Sequence, residues 1–189
     1  MNRFNISIAA VAIGMAFGST AMAQGMSKEE FKSGRDGIAA EYKAAKKACA
    51  NLAGNAKDIC SAEARGKEKV AKADLDATYK PSRDATYKAR EARADADFSV
   101  AKERCDDSAG NVKAVCLKEA EANSFAAKSA AKARKETSDA NARGADARRD
   151  AADATRDADY ATAVEKCGAF AGDAKSSCMA QAKSRFGKS

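Results

Sequence analysis

Residues 49–60 read CANLAGNAKDIC, residues 105–116 read CDDSAGNVKAVC, and residues 167–178 read CGAFAGDAKSSC. Each phrase places Ala four positions after its first cysteine, then Gly, then Asn or Asp, then Lys two positions on. The match runs outward. Tyr42, Phe98 or Tyr160 stands seven residues before the first cysteine, and Ala45, Ala101 or Ala163 four before it. Ala64, Ala120 or Ala182 follows the second cysteine by four. The chain therefore carries an internal repeat of about 56 to 62 residues.

The phrase reads as a tight turn between two helices. Gly54, Gly110 and Gly172 suit the left-handed position that ends a helix. Asn55, Asn111 and Asp173 are strong N-caps for the next one, because a short side-chain oxygen can accept a free backbone N–H. Each cysteine lies five residues from this pair, so the two sulfurs stand level on opposite arms of an αα-hairpin. That predicts the bridges Cys49–Cys60, Cys105–Cys116 and Cys167–Cys178 among the fifteen pairings that six cysteines allow. A loop of this length gains about 3 kcal/mol per bridge in the chain-entropy account. The aromatic, Ala, Cys and Ala positions fall on one helical face, so this stripe should meet the partner arm.

The first 23 residues read as a secretory signal: Arg3, an apolar run from Ile6 to Phe17, and the small-x-small site Ala21-Met22-Ala23. Residues 24–189 then form a repetitive Ala-rich helical domain, with localisation in the periplasm or outside the cell. The full chain has 34 basic and 27 acidic residues; without Arg3 the balance is 33 to 27, a net +6. The signs are interspersed rather than clustered, which disfavours a nucleic-acid partner. Alanine is the commonest residue and bulky apolar residues are few, so the expected state is highly helical with a thin apolar seam. No segment after the leader is apolar enough to span a bilayer.

The expected fold is all-α: elongated helical hairpins or a bundle of about six helices, roughly 28–53, 55–79, 82–109, 111–142, 145–171 and 173–186. Pro81 should stop a helix near Tyr79, and Ser82 can start the next. Asn141 to Gly144 is a weaker stop. Reversal at every break would gather all three cysteine turns at one end; without reversal at Pro81 and Gly144 the chain would form a longer, kinked rod with three clamped hairpins. The pairs Glu63–Lys67, Glu68–Lys72 and Asp84–Lys88 have i,i+4 spacing. Residues 76–80 and 84–88 both read DATYK, a small tandem duplication. The segment Asp139 to Asp159 holds only Ala, charged and small polar residues, and should be the least firmly packed helix.

Catalytic equipment is missing from this pattern. The chain has no histidine, so neither a Ser-His-Asp nor a Cys-His device can be assembled. The cysteine spacing is far longer than that of zinc sites, no haem-attachment motif is present, and no glycine-rich phosphate loop occurs. No enzyme activity, metal or cofactor is expected.

The export signal, the Ala/Lys-rich helices and the repeated C-x3-AG-[ND]-x-K-x2-C unit resemble secreted helical proteins of proteobacteria. That group has no assigned activity and is often labelled TolA-like on composition. The resemblance implies an exported helical protein and carries no functional residues. The expected function is a non-catalytic structural or interaction protein of the periplasm or cell envelope. The alternatives are a periplasmic chaperone or stress protein that exposes Tyr42, Phe98, Phe125 and Tyr160, or a binder of anionic envelope polymers. The last would use Lys43, Lys46, Lys47 and Lys57, or Lys57, Lys113 and Lys175 beside the turns. The partner is thus an unknown envelope protein or an anionic polymer.

Overall fold

The computed structural model describes residues 25–188; the expected leader lies outside the described residues. Five helices and no strand are present among them: α1 (Lys28–Cys49), α2 (Gly54–Tyr79), α3 (Arg83–Cys105), α4 (Gly110–Cys167) and α5 (Gly172–Phe186). None is long and apolar enough to cross a membrane. Helix α1 opens with a capping box: Glu30 N–H donates to Ser27 Oγ at 3.1 Å, and Ser27 N–H donates to Glu30 Oε2 at 2.7 Å. Pro81 ends α2 just after Tyr79, since it has no N–H to continue the ladder. Ser82 then caps α3 by accepting from the Ala85 N–H at 3.0 Å.

Register shows that successive helices run antiparallel. Along α1 and α2, Cys49 bonds Cys60, while at the far end Phe31 stacks on Tyr79 with ring centroids 4.2 Å apart. Along α2 and α3, Glu63 pairs with Arg104 near one end and Asp74 with Arg93 towards the other. Along α3 and α4, Cys105 bonds Cys116, and Arg83 pairs with Asp139 a helix length away. Along α4 and α5, Cys167 bonds Cys178, and Tyr160 meets Phe186 edge-on.

The described residues form five helices rather than six, because α4 runs unbroken for 58 residues, about 87 Å. Asn141 and Gly144 lie inside it. A helix-interior glycine costs only about 1 kcal/mol against alanine and keeps its N–H, whereas proline removes a donor and clashes. The continuous α4 also decides where the turns stand. The first two lie side by side, and the third lies at the other extreme of α4. About 28 residues of α4 extend past Asp139, some 42 Å. Within that extension, residues 145–159 are exposed on every side, in line with their lack of bulky apolar groups.

Helix α2 packs against α1 and α3, α3 against α2 and α4, and α4 also against α5, whereas α1 touches only α2 among the described helices. The helices thus form a row rather than a closed bundle. Every buried apolar residue described is alanine or cysteine. Small side chains let the backbones approach closely, so the seam is thin.

Candidate functional site

The three stapled turns are the first sites to examine. Cα–Cα separations across the bridges are 5.5, 5.6 and 5.6 Å, within the range a disulfide requires. All six cysteines are paired. Cys49, Cys105 and Cys167 are buried, and so are Ala64, Ala120 and Ala182, while Tyr42, Phe98 and Tyr160 are half-buried beside them.

The turn residues act differently from the sequence expectation. The first helix of each pair ends at its cysteine, and three N–H groups then close short i→i−3 bonds, as in Leu52 N–H to Cys49 O at 3.1 Å. Gly54, Gly110 and Gly172 do adopt the left-handed region, with φ of 56°, 57° and 57°. They stand at the first position of the following helix rather than the end of the preceding one. The N-caps are therefore Ala53, Ala109 and Ala171, which offer no side-chain bond, and not Asn55, Asn111 and Asp173. Asn55 has another task. Its Nδ2 donates to Glu103 O at 2.8 Å and to Asp107 Oδ1 at 2.7 Å, tying the first turn to the second. No sequence signal separates Asn55 from Asn111, because the partner is about 50 residues away.

A solvent-open groove of about 950 Å³ lies over α3 between α2 and α4. Val70, Ala96, Val100, Ala101 and the Cys105–Cys116 bridge line its apolar part. Two ion pairs close its α2 rim: Glu63–Arg104 at 2.9 Å and Asp74–Arg93 at 2.7 Å. Glu63 therefore reaches across to α3 instead of pairing with Lys67. Glu68–Lys72 and Asp84–Lys88 do form the i,i+4 pairs that their spacing predicts, at 2.5 and 3.0 Å.

On the other face Asp95 of α3 stands between Lys69 of α2 and Lys128 of α4, each at 2.6 Å. Hydrogen bonds from Lys128 and then Lys69 hold its carboxyl below the usual carboxylate range. Lys135 and Arg83 do the same for Asp139. The Ser27 N–H and hydroxyl lower Glu30. These carboxylates stand ionised as partners of cations or helix ends, and the groove offers burial and fixed charge.

The duplicated tyrosines part company. Tyr79 stacks on Phe31, whereas the Tyr87 hydroxyl donates to Glu91 at 2.6 Å, which raises its pKa. Lys43, Lys46, Lys47 and Lys57 are exposed at the first turn, and none joins an ion pair among the described residues. Lys113 instead pairs with Asp106 at 2.9 Å, and Lys175 is exposed. Phe125 is 74% exposed, far more than Tyr42, Phe98 or Tyr160.

No protein-family model, curated protein or solved structure matches this chain.

Proposed function

We propose that this protein is an exported, non-catalytic structural or interaction module of the periplasm or cell envelope. The observation that carries this reading is the 58-residue α4, which separates one stapled turn from the other two. A bare helical spacer between covalently fixed ends suits a protein that holds two contacts apart. Each extreme presents an apolar side chain to solvent: Leu52 at the paired turns (44% exposed) and Phe170 at the far turn (51%). The three bridges are compatible with export into an oxidising compartment. The secreted Ala/Lys-rich proteins that the chain resembles fit the same setting.

Photo-crosslinking groups placed at Leu52 and at Phe170 test this in intact cells. The expected result is a reproducible adduct with an envelope protein from each end. Repeated absence of adducts from both ends would discard the reading.

A second reading, binding of an anionic envelope polymer, is favoured by the four lysines around the first turn, which are exposed and join no ion pair among the described residues. It requires binding to a polyanion that weakens steeply with salt and that is lost when Lys43, Lys46 and Lys47 become glutamine.

A further inference from the structure

We propose that a second copy of this chain packs antiparallel along the free face of α4, using a contact that the repeat already makes once within the chain. This goes beyond the envelope function above and does not depend on it.

Within the chain, one repeat meets the next through α2 and α3, which double back at Pro81. Gly66 abuts Ala96 there, and Glu63 pairs with Arg104. Counting from the cysteines, position n of α2 corresponds to n+56 in α4 (Cys60 to Cys116), and position n of α3 to n+62 (Cys105 to Cys167). The α2 face at Gly66, Val70, Ala73 and Ala77 thus recurs as Ala122, Ala126, Ser129 and Ala133. The α3 face at Ala85, Ala89, Ala92 and Ala96 recurs as Ala147, Ala151, Ala154 and Ala158. In α2 and α3 these faces meet. In α4 the chain does not reverse, and all eight counterparts are exposed. Phe125, the most exposed large apolar residue described, lies on the same side as Ala122 and Ala126.

The unbroken helix keeps the two halves in phase. Ala122 to Ala158 spans 36 residues, ten turns at about 3.6 residues each, so both sets form one stripe. It faces away from Ala120 and Ala131, which are buried against α3. Ala122 and Ala158 are separated along α4 by about 54 Å, so one chain cannot bring them together while α4 stays straight. A second copy laid antiparallel does so twice, once on each side of a two-fold axis near Asn141, as an isologous contact requires.

Charge follows the same register. Glu119 and Lys166 are the counterparts of Glu63 and Arg104, and neither has an ion-pair partner among the described residues. In the antiparallel pair Glu119 of one copy meets Lys166 of the other. A strip about 9 Å wide along the 87 Å helix covers roughly 800 Å² per partner, the size of a standard protein interface.

The test uses the mature chain with its bridges intact. Light and heavy isotope-labelled copies are mixed, treated with a zero-length carbodiimide crosslinker and mapped, alongside sedimentation equilibrium. The expected result is a dimer at micromolar concentration, with Glu119–Lys166 crosslinks joining light to heavy peptides. Ala126→Glu should weaken dimerisation by about 100-fold, because it places an unpaired charge in the contact. Ala56→Glu, on an exposed site of α2, should leave it unchanged. Helicity of both variants is checked by circular dichroism. A monomer at tens of micromolar, crosslinks only between peptides of the same isotope (a chain folded back on itself), or an Ala126→Glu variant that is folded and still dimeric would each overturn the proposal.

Discussion

Gly66 of α2 lies so close to Ala96 of α3 that a Cβ added at position 66 would stand 2.9 Å from the Ala96 Cβ. Neither helix can relieve this by turning a side chain, because both atoms belong to the backbone or sit next to it. Gly66→Ala should gain about 1 kcal/mol in helix propensity and lose about 1–3 kcal/mol to overpacking. The expected net effect is destabilisation by about 1 kcal/mol. Gly37, in exposed helix α1, has nothing within 4 Å of an added Cβ. Gly37→Ala should therefore stabilise by up to about 1 kcal/mol. Urea melts of the two variants should move in opposite directions.

Asn55 and Asn111 occupy the same place between their cysteines but not in the fold. Asn55→Ala removes two hydrogen bonds that join the first two turns, and should cost about 1–2 kcal/mol. Asn111 makes no side-chain hydrogen bond among the described residues, so Asn111→Ala should change stability by less than about 0.5 kcal/mol. The same denaturation assay decides, and equal losses would contradict the structural difference.

The third staple should matter most locally. Helix α5 has 15 residues and, among the described helices, packs only against α4, through the Cys167–Cys178 bridge, the Tyr160–Phe186 contact and the Lys188–Asp157 pair. A helix of that length is marginal alone. Replacing Cys167 and Cys178 by serine removes about 3 kcal/mol of loop-closure advantage. Hydrogen exchange should then show α5 unprotected while α2 and α3 keep their protection. Losing Cys49–Cys60 should leave α1 partly held, since Phe31 still stacks on Tyr79 and Arg35 reaches Asp76 at 3.5 Å.

Stability should be flat with pH across the neutral range. The chain has no histidine, so no side chain with an ordinary pKa titrates between about pH 5 and 8. Asp95, Asp139 and Glu30 have folded-state pKa values below their unfolded ones. Their contribution is present above the ordinary carboxylate value of about 4 and is lost as pH falls through the lower folded values. Lys128 and Lys135 are raised by Asp95 and Asp139 respectively. Their share is present below about pH 10.4 and is lost as pH rises through the raised values. Thermal melts from pH 2 to 11 should give a plateau with two shoulders (limits chosen to bracket both ranges, about 4 and 10.4). A step near neutrality would contradict it.

Much of the local structure was legible without coordinates because its causes are local. Alanine content sets helicity, proline at position 81 stops a helix, and repeated spacing around a glycine bend puts two sulfurs level. Each depends on residues within a few turns of one another, and the cysteine pairs, the Ala-Cys stripe and the Ser82 cap accordingly stand where spacing places them. The choice at Asn141–Gly144 was different. Continuing the helix through it costs about 1 kcal/mol for one glycine, and reversing there would gain a long-range contact that no local pattern weighs. The same holds for Asn55, Asp95 and Gly66, whose partners lie about 25 to 50 residues away. By itself the sequence determined that the described residues are predominantly helical and which cysteines lie level across a turn, because hydrogen bonds and bend geometry act over a few residues. Only the tertiary structure decided how many helices there are, which turns share an end and which small-residue faces remain open, because those depend on contacts between distant segments.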